Sequence, residues 1–527
     1  MDLLKRIFKN TDLWFLLIIL LASFLVRWYQ IEKQPYGLEG DEFSWAITSF
    51  FNQYKIPAEE KGIWSMHTAM AKSFPTSIFI NKIGFLIFGK DILSTRKILV
   101  VVSTISLAIF YLLCRGFFSQ FISLIITFLY SFSYYKLIST RIAMAPAYID
   151  IFLYFSFFCL IRSFSIRSKF KYLLAMVSGM GVVLSLFTCN IAYIVPIICI
   201  GFIVFQFFNP KVSKKQCLLI LIIFLLPLIY FSSKWIYNFK EENARKSYAL
   251  SHVVFDLRKK QLYLSRVKEN LQIINTQLFR GLTYETSDML VSYDSPLISK
   301  SITILAIFGL LISFIKLRKY FFIVLWFVLS LGTSVAFGLF LPRMWIVNVG
   351  SFFILAGVSL SFLETWVIKK NLVLIFNIII IIITLIFIKS NLNIFYSKAL
   401  YNTSYLSKHR EIVNLIKKHR KDIPTKTIFI STPDFNHGVI YPSVIFYFLT
   451  EHPYSTSMVM KAEERYFQIL NEEELIVKLG TDSGSIKFII IDNSLINNDR
   501  IKDNLNKLKD KILEQRSYKD FIEISLN

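Results

Sequence analysis

Two adjacent carboxylates, Asp41 and Glu42, stand just past the end of the first long apolar run, in the stretch Gly37-Leu38-Glu39-Gly40-Asp41-Glu42-Phe43-Ser44-Trp45-Ala46. A carboxylate within hydrogen-bond reach of an attacking hydroxyl or amine can take its proton. The pair also suits a structural role, because Asp41 sits where a helix N-cap would and Glu42 falls in the first turn. The second telling group is cationic. Arg141 and Arg343 lie at the edges of apolar runs, where function is the default expectation for an ionisable group and snorkelling to headgroups is the alternative. Arg96 and Lys72 are weaker members of that group, and Lys136 is weaker still. His67, His252, His437 and His452 are isolated, and neither a His-x-x-His nor an Asp-x-Asp pattern is present. No metal site is therefore assigned and no cofactor is certain, although a divalent metal stays open. The five cysteines, in or beside apolar runs, have no paired ligand spacing and read as small apolar side chains.

The elements that must position these residues are set by hydropathy. The chain has 527 residues, 55% of them hydrophobic, with a mean hydropathy of +0.54. Apolar runs near the length of a bilayer crossing recur through the first three quarters. Eleven candidate spans fall at about 12–29, 97–114, 117–138, 143–161, 172–190, 191–208, 217–233, 298–315, 320–341, 344–366 and 371–389. The first ends at Arg27, Trp28 and Tyr29, an interfacial anchor, and has no cleavage pattern, so it reads as a retained span.

Every second short connection is basic: Lys5, Arg6 and Lys9; Arg115; Arg162, Arg167, Lys169 and Lys171; Lys211, Lys214 and Lys215; Lys316, Arg318 and Lys319; Lys369 and Lys370. Cations kept on the cytoplasmic side put the N-terminus inside and the C-terminal region outside. The net charge of +24 is thus largely a topology signal, and nucleic acid is not the expected partner. Three segments face outward: 30–95, 234–299 and the region after 390. In the first, Phe43, Ala46, Ile47, Phe50 and Tyr54 form a helical stripe ended by Pro57. A second amphipathic stretch follows Pro75 and, at about 14 residues, suits the membrane interface.

This layout resembles the polyprenyl-phosphate-sugar-dependent glycosyltransferases of the GT-C fold, which include protein O-mannosyltransferases and aminoarabinose transferases. The matching residues are Asp41-Glu42 after the first span, Pro75, Phe88-Gly89, Arg96 opening the second span, Ser139-Thr140-Arg141, and Leu341-Pro342-Arg343. Many relatives have an Arg where this chain has Ser44, a Pro-Pro where it has Ser73-Phe74-Pro75, and a Thr-Lys where it has Thr188-Cys189-Asn190.

The resemblance implies an α-helical polytopic membrane protein of the GT-C type with about eleven transmembrane helices (residues 1–390) and an extracytoplasmic α/β domain (391–527). The expected activity is sugar transfer from a polyprenyl-phosphate carrier in the cell membrane to an extracytoplasmic acceptor, with inversion. Asp41 is then the base and Glu42 orients the acceptor or the loop. Arg141, Arg343, Arg96 and Lys72 hold the donor phosphate. Two other classes fit many spans. A lipid-linked sugar transporter would carry inverted repeats with paired broken helices, which are not evident. A non-catalytic scaffold of the same fold would bind the donor without transfer.

The segment 253–271 reads as a basic helix covering the cavity or facing anionic lipid, or as a solvated face. The C-terminal region reads as helix 405–420, strand 427–431, helix 462–479, strand 488–491, helix 499–513 and strand 521–526. Gly480-Thr-Asp-Ser-Gly484 lacks the spacing and the Lys of a nucleotide loop.

Overall fold

The apolar runs become helices. In the computed structural model, described for residues 11–32, 40–51, 74–166, 168–241, 260–279, 296, 298–337, 346–398, 414, 415, 417, 418, 427–431, 467–470, 486–492, 499–509, 512–517 and 521–526, each of the eleven expected spans meets an apolar helix. The elements in order are α1 (Thr11–Trp28), α2 (Gly40–Phe51), α3 (Pro75–Phe88), α4 (Ile92–Cys114), α5 (Gln120–Ser131), α6 (Tyr134–Ser139), a 3-10 turn (Ala145–Tyr148), α7 (Ile149–Ser165) and α8 (Phe170–Leu186). There follow α9 (Ile194–Gln206), α10 (Lys214–Glu241), α11 (Lys260–Phe279), α12 (Lys300–Ile315), α13 (Leu317–Phe337), α14 (Ile346–Ile368) and α15 (Val373–Asn393). Among the described residues six helices are long and apolar enough to cross a bilayer, and the other apolar helices are shorter. The chain divides into two units. The first holds Met1–Pro35, Ala69–Phe88 and Leu93–Asn402, and the second holds Tyr36–Thr68, Gly89–Ile92 and Thr403–Asn527.

The first unit is apolar on the outside. Phe79, Leu86 and Ile87 of α3, Phe208, Ile315 and Leu374 are each more than 60% exposed, the distribution expected where lipid is the solvent. Its inward faces carry small and polar residues. On α3 the buried side includes Thr76, Ser77, Ile80, Asn81 and Gly84, so this helix turns its polar side inward and its greasy side out. Ser156 of α7 and Ser178 of α8 each donate to the other's carbonyl at 2.9 Å, a polar weld between helices in an apolar setting. Gly309 lets α12 touch α14: a Cβ there would lie 1.8 Å from the Leu355 carbonyl oxygen. No larger residue permits that approach.

Three expectations change here. The third span is not one helix. It stops at Ser131 and restarts as the six-residue α6, because Ser131 and Ser133 turn their hydroxyls onto the carbonyls three residues back while Ser133 caps α6. Arg27 is not an interfacial anchor. It is fully buried, facing inward one turn below Ser23. Helix α2 begins at Gly40, so Asp41 lies in its first turn rather than at the cap, and Trp45 through Phe50 are all buried instead of forming a single stripe.

The second unit carries a five-stranded sheet in the order β2-β1-β3-β5-β4. Strands β1 (Thr427–Ser431), β2 (Phe467–Leu470) and β3 (Ile486–Asp492) are parallel, with β1 in the centre. Strand β5 (Phe521–Leu526) runs antiparallel to both β3 and β4 (Ile512–Ser517). Ile489, Ile491 and Ile524 supply its buried apolar positions. Strands 427–431 and 521–526 fall where the sequence puts them. The helix expected over 462–479 contains strand β2 instead, since pairing with β1 overrides the local helical pattern. The final helix, α16 (Asp499–Lys507), ends before Leu513, which belongs to β4. Only Arg266 and Lys268 of the basic stretch 253–271, together with its Lys260, fall within described helix α11. Pro57, Tyr54 and Gly480 through Gly484 lie outside the described residues.

Candidate functional site

The segment between Tyr130 and Asp150 buries three charged residues, Lys136, Arg141 and Asp150. Its shape follows from short local bonds. Ser133 accepts from the Lys136 amide, Thr140 donates back to the Lys136 carbonyl at 2.8 Å, and Pro146 starts the 3-10 turn that leads into α7. Asp150 then falls in the first turn of α7, where the helix dipole favours a carboxylate. Tyr134 is tied through its amide to Asn391 of α15 at 2.9 Å.

Both feet of this segment meet in one network. The Lys136 ammonium pairs with Asp150 Oδ2, and both side chains are at most 1% exposed. Tyr130 donates to the same oxygen at 2.9 Å, and the Tyr130 and Tyr154 hydroxyls are 2.7 Å apart. A hydroxyl has one proton. Tyr130 gives its proton to Asp150, so Tyr154 must be the donor in the tyrosine pair. Asp150 Oδ1 is buried with no hydrogen-bond partner.

Arginines surround this network. Arg27 reaches Ser131 O at 2.7 Å and Ser23 Oγ, while its Nε has no partner. Arg141 uses Nη2 on the carbonyls of Val26 and Tyr29, at the C-terminal end of α1, and its guanidinium lies 4.8 Å over the Phe395 ring. It thus closes orphan carbonyls of α1 in the manner of a C-terminal cap. Burial pushes Arg141 down to about 10, against a raising effect of Tyr396 and with a further lowering by Arg96. The group keeps its charge at neutral pH. Arg96 is 1% exposed in the early turns of α4.

A small cleft opens beside this segment. Tyr135, Ser139, Ile142, Met144, Pro146 and Ala147 line one side and Ile346 of α14 the other. Of the residues expected from sequence, Arg141, Arg96 and Lys136 are all buried in the first unit. Glu42 is fully buried on α2, in the second unit. The Asp41 backbone is helical, and its side chain lies outside what is described, as do Lys72, Arg343, His67, His252, His437 and His452. Asp150 belongs to no motif, and its one signal in the sequence is that it is a lone acid inside an apolar run. Arg27, beside Trp28 and Tyr29, carries the pattern of an interfacial residue and is buried instead.

No family model and no curated protein sequence matches the chain. Among solved structures it is similar to the archaeal oligosaccharyltransferase AglB from Archaeoglobus fulgidus, solved with an inhibitory peptide and a dolichol-phosphate. The TM-score is 0.56 at 10% identity, over 92% of this chain and 70% of that one. A crystal structure of an Archaeoglobus fulgidus oligosaccharyltransferase in complex with Zn and sulfate matches at TM-score 0.53 and 12% identity, over 91% and 68% of the two chains. ArnT from Cupriavidus metallidurans in the apo state matches at TM-score 0.54 and 8% identity, over 98% of each chain. Among the described residues no three His, Cys, Asp or Glu side chains come together as metal ligands would. At such identities the likeness is one of fold, and the fold is the GT-C fold of multi-pass membrane glycosyltransferases.

Proposed function

We propose that the chain is an integral membrane glycosyltransferase that moves a sugar from a polyprenyl-phosphate carrier to an acceptor outside the cytoplasmic membrane, inverting the anomeric carbon. The observation that carries this reading is the set of buried arginines in a GT-C membrane unit: Arg27, Arg96 and Arg141. Cations at the edge of an apolar bundle suit a ligand with an apolar tail and an anionic head. Relatives of the fold support that choice, since the AglB structure contains a dolichol-phosphate and an ArnT structure contains undecaprenyl phosphate.

In the proposed step an acceptor oxygen or nitrogen attacks the anomeric carbon. The bond to the phosphate oxygen breaks as the new bond forms, and its electron pair leaves with the phosphate. Asp41 takes the acceptor proton. Glu42, buried on the same helix, orients the turn that carries Asp41. Arg343 and Arg141 stabilise the charge on the departing phosphate, with Arg96 and Lys72 adding to the field.

Purified full-length protein, offered synthetic polyprenyl-phosphate sugars, is expected to transfer the sugar. Asp41→Asn should lower turnover by roughly 100-fold or more, the usual worth of a positioned base. Undiminished turnover in a folded Asp41→Asn protein would remove Asp41 from that role.

A further inference from the structure

We infer that Lys136, Asp150, Tyr130 and Tyr154 form a positioning device that sets the spacing of the two walls of the cleft beside Ser139. The inference rests on the lipid-phosphate reading above, and it assigns these four residues to holding the site rather than to touching the donor. Six of the seven side chains lining the cleft belong to the segment that runs from Tyr130 to Asp150. That segment is closed at its base by the Tyr130–Asp150 hydrogen bond, and Lys136 pins its first helical turn to the same carboxylate. The tip, with Arg141, grips the end of α1.

The opposite wall is keyed to the same network. Ile346 stands one helical turn before Gly350 on α14, and a Cβ at Gly350 would lie 2.6 Å from the Tyr154 hydroxyl. Tyr154 therefore abuts the α14 backbone while donating to Tyr130. Trp326, whose indole donates to the Val347 carbonyl at 2.8 Å, holds the same turn from α13. Hydrogen bonds and charges in a low-dielectric interior tolerate little displacement, because each group that loses its partner is left buried and uncompensated. A chain running from Lys136 through Asp150, Tyr130 and Tyr154 to Gly350 thus fixes one wall against the other. Lys136 spends its ammonium on Asp150, which makes it a positioning residue and not a phosphate ligand.

The test uses full-length protein in nanodiscs with undecaprenyl phosphate as the probe, and reads both its Kd and the thermal midpoint. Three proteins are compared: the unaltered chain, the double variant Lys136→Met with Asp150→Leu, and Gly350→Ala. Replacing both charges by apolar groups of similar size preserves stability in many buried pairs, so the double variant should keep its midpoint yet bind undecaprenyl phosphate roughly tenfold or more weakly, the size of a misplaced charged contact. Gly350→Ala, which adds no charge and pushes on Tyr154, should weaken binding by a smaller factor. If the double variant fails to fold, Gly350→Ala and Tyr154→Phe carry the test. Variants that fold and bind as the unaltered chain does would overturn the positioning role alone. An unaltered chain that does not bind undecaprenyl phosphate would overturn the lipid-phosphate reading, and this inference with it.

Discussion

The two units hold lysine–carboxylate pairs of the same chemistry in graded surroundings. In the membrane unit Lys136 and Asp150 are sealed from solvent, at 0% and 1% exposure. In the sheet-bearing unit Lys418, 38% exposed, meets Glu523, 3% exposed, at 2.9 Å. Lys417, beside it on the same turn, meets Asp91 with both partners open, at 36% and 25%. The chemistry is constant and the water differs. Where water is near, either partner of a broken pair is resolvated at little cost, and the pair is a weak tether. Where water is excluded, the pair is worth little as a source of stability but is costly to break from one side, which makes it a device for fixing geometry. The difference teaches why the membrane unit is the place to look for a preorganised site.

Single substitutions should separate the three pairs in that order. Asp150→Ala is expected to cost about 3–5 kcal/mol, since it strands a buried ammonium; a loss below about 1 kcal/mol in a denaturation series would mean that the pair is hydrated. Glu523→Gln removes a buried charge but keeps an acceptor oxygen, and its partner can reach water, so it should cost about 1–2 kcal/mol in the same assay. Lys417→Met should change stability by about 1 kcal/mol or less. Added salt should weaken the Lys417–Asp91 tether and leave the Lys136–Asp150 pair unaffected, because screening acts through solvent. A salt dependence equal in the two would erase the contrast.

Much of the architecture was legible because one force dominates it. Runs of Leu, Ile and Phe with basic flanks mark the helices of a membrane protein, and strand 521–526 carries its own β pattern. What failed depended on partners distant in sequence. Phe467 to Leu470 looks helical until β1 lies beside it. Arg27 looks like an anchor because Trp28 and Tyr29 follow it, yet Ser23 and Ser131 draw it inward. The sequence pattern marks Arg141 as a phosphate ligand, and the structure also gives it the carbonyls at the end of α1. Asp150 shows no motif at all. Its meaning comes from Lys136 and Tyr130, brought to it by the break at Ser131 that divides the third apolar run.

The most direct test of the lipid-phosphate reading is an experimental structure of the full chain with undecaprenyl phosphate bound. Density for the phosphate is expected at the cleft beside Ser139 and Ile346, within reach of the Arg141 guanidinium. A phosphate seated instead beside the basic connection of Lys316, Arg318 and Lys319, with the cleft unchanged, would contradict it.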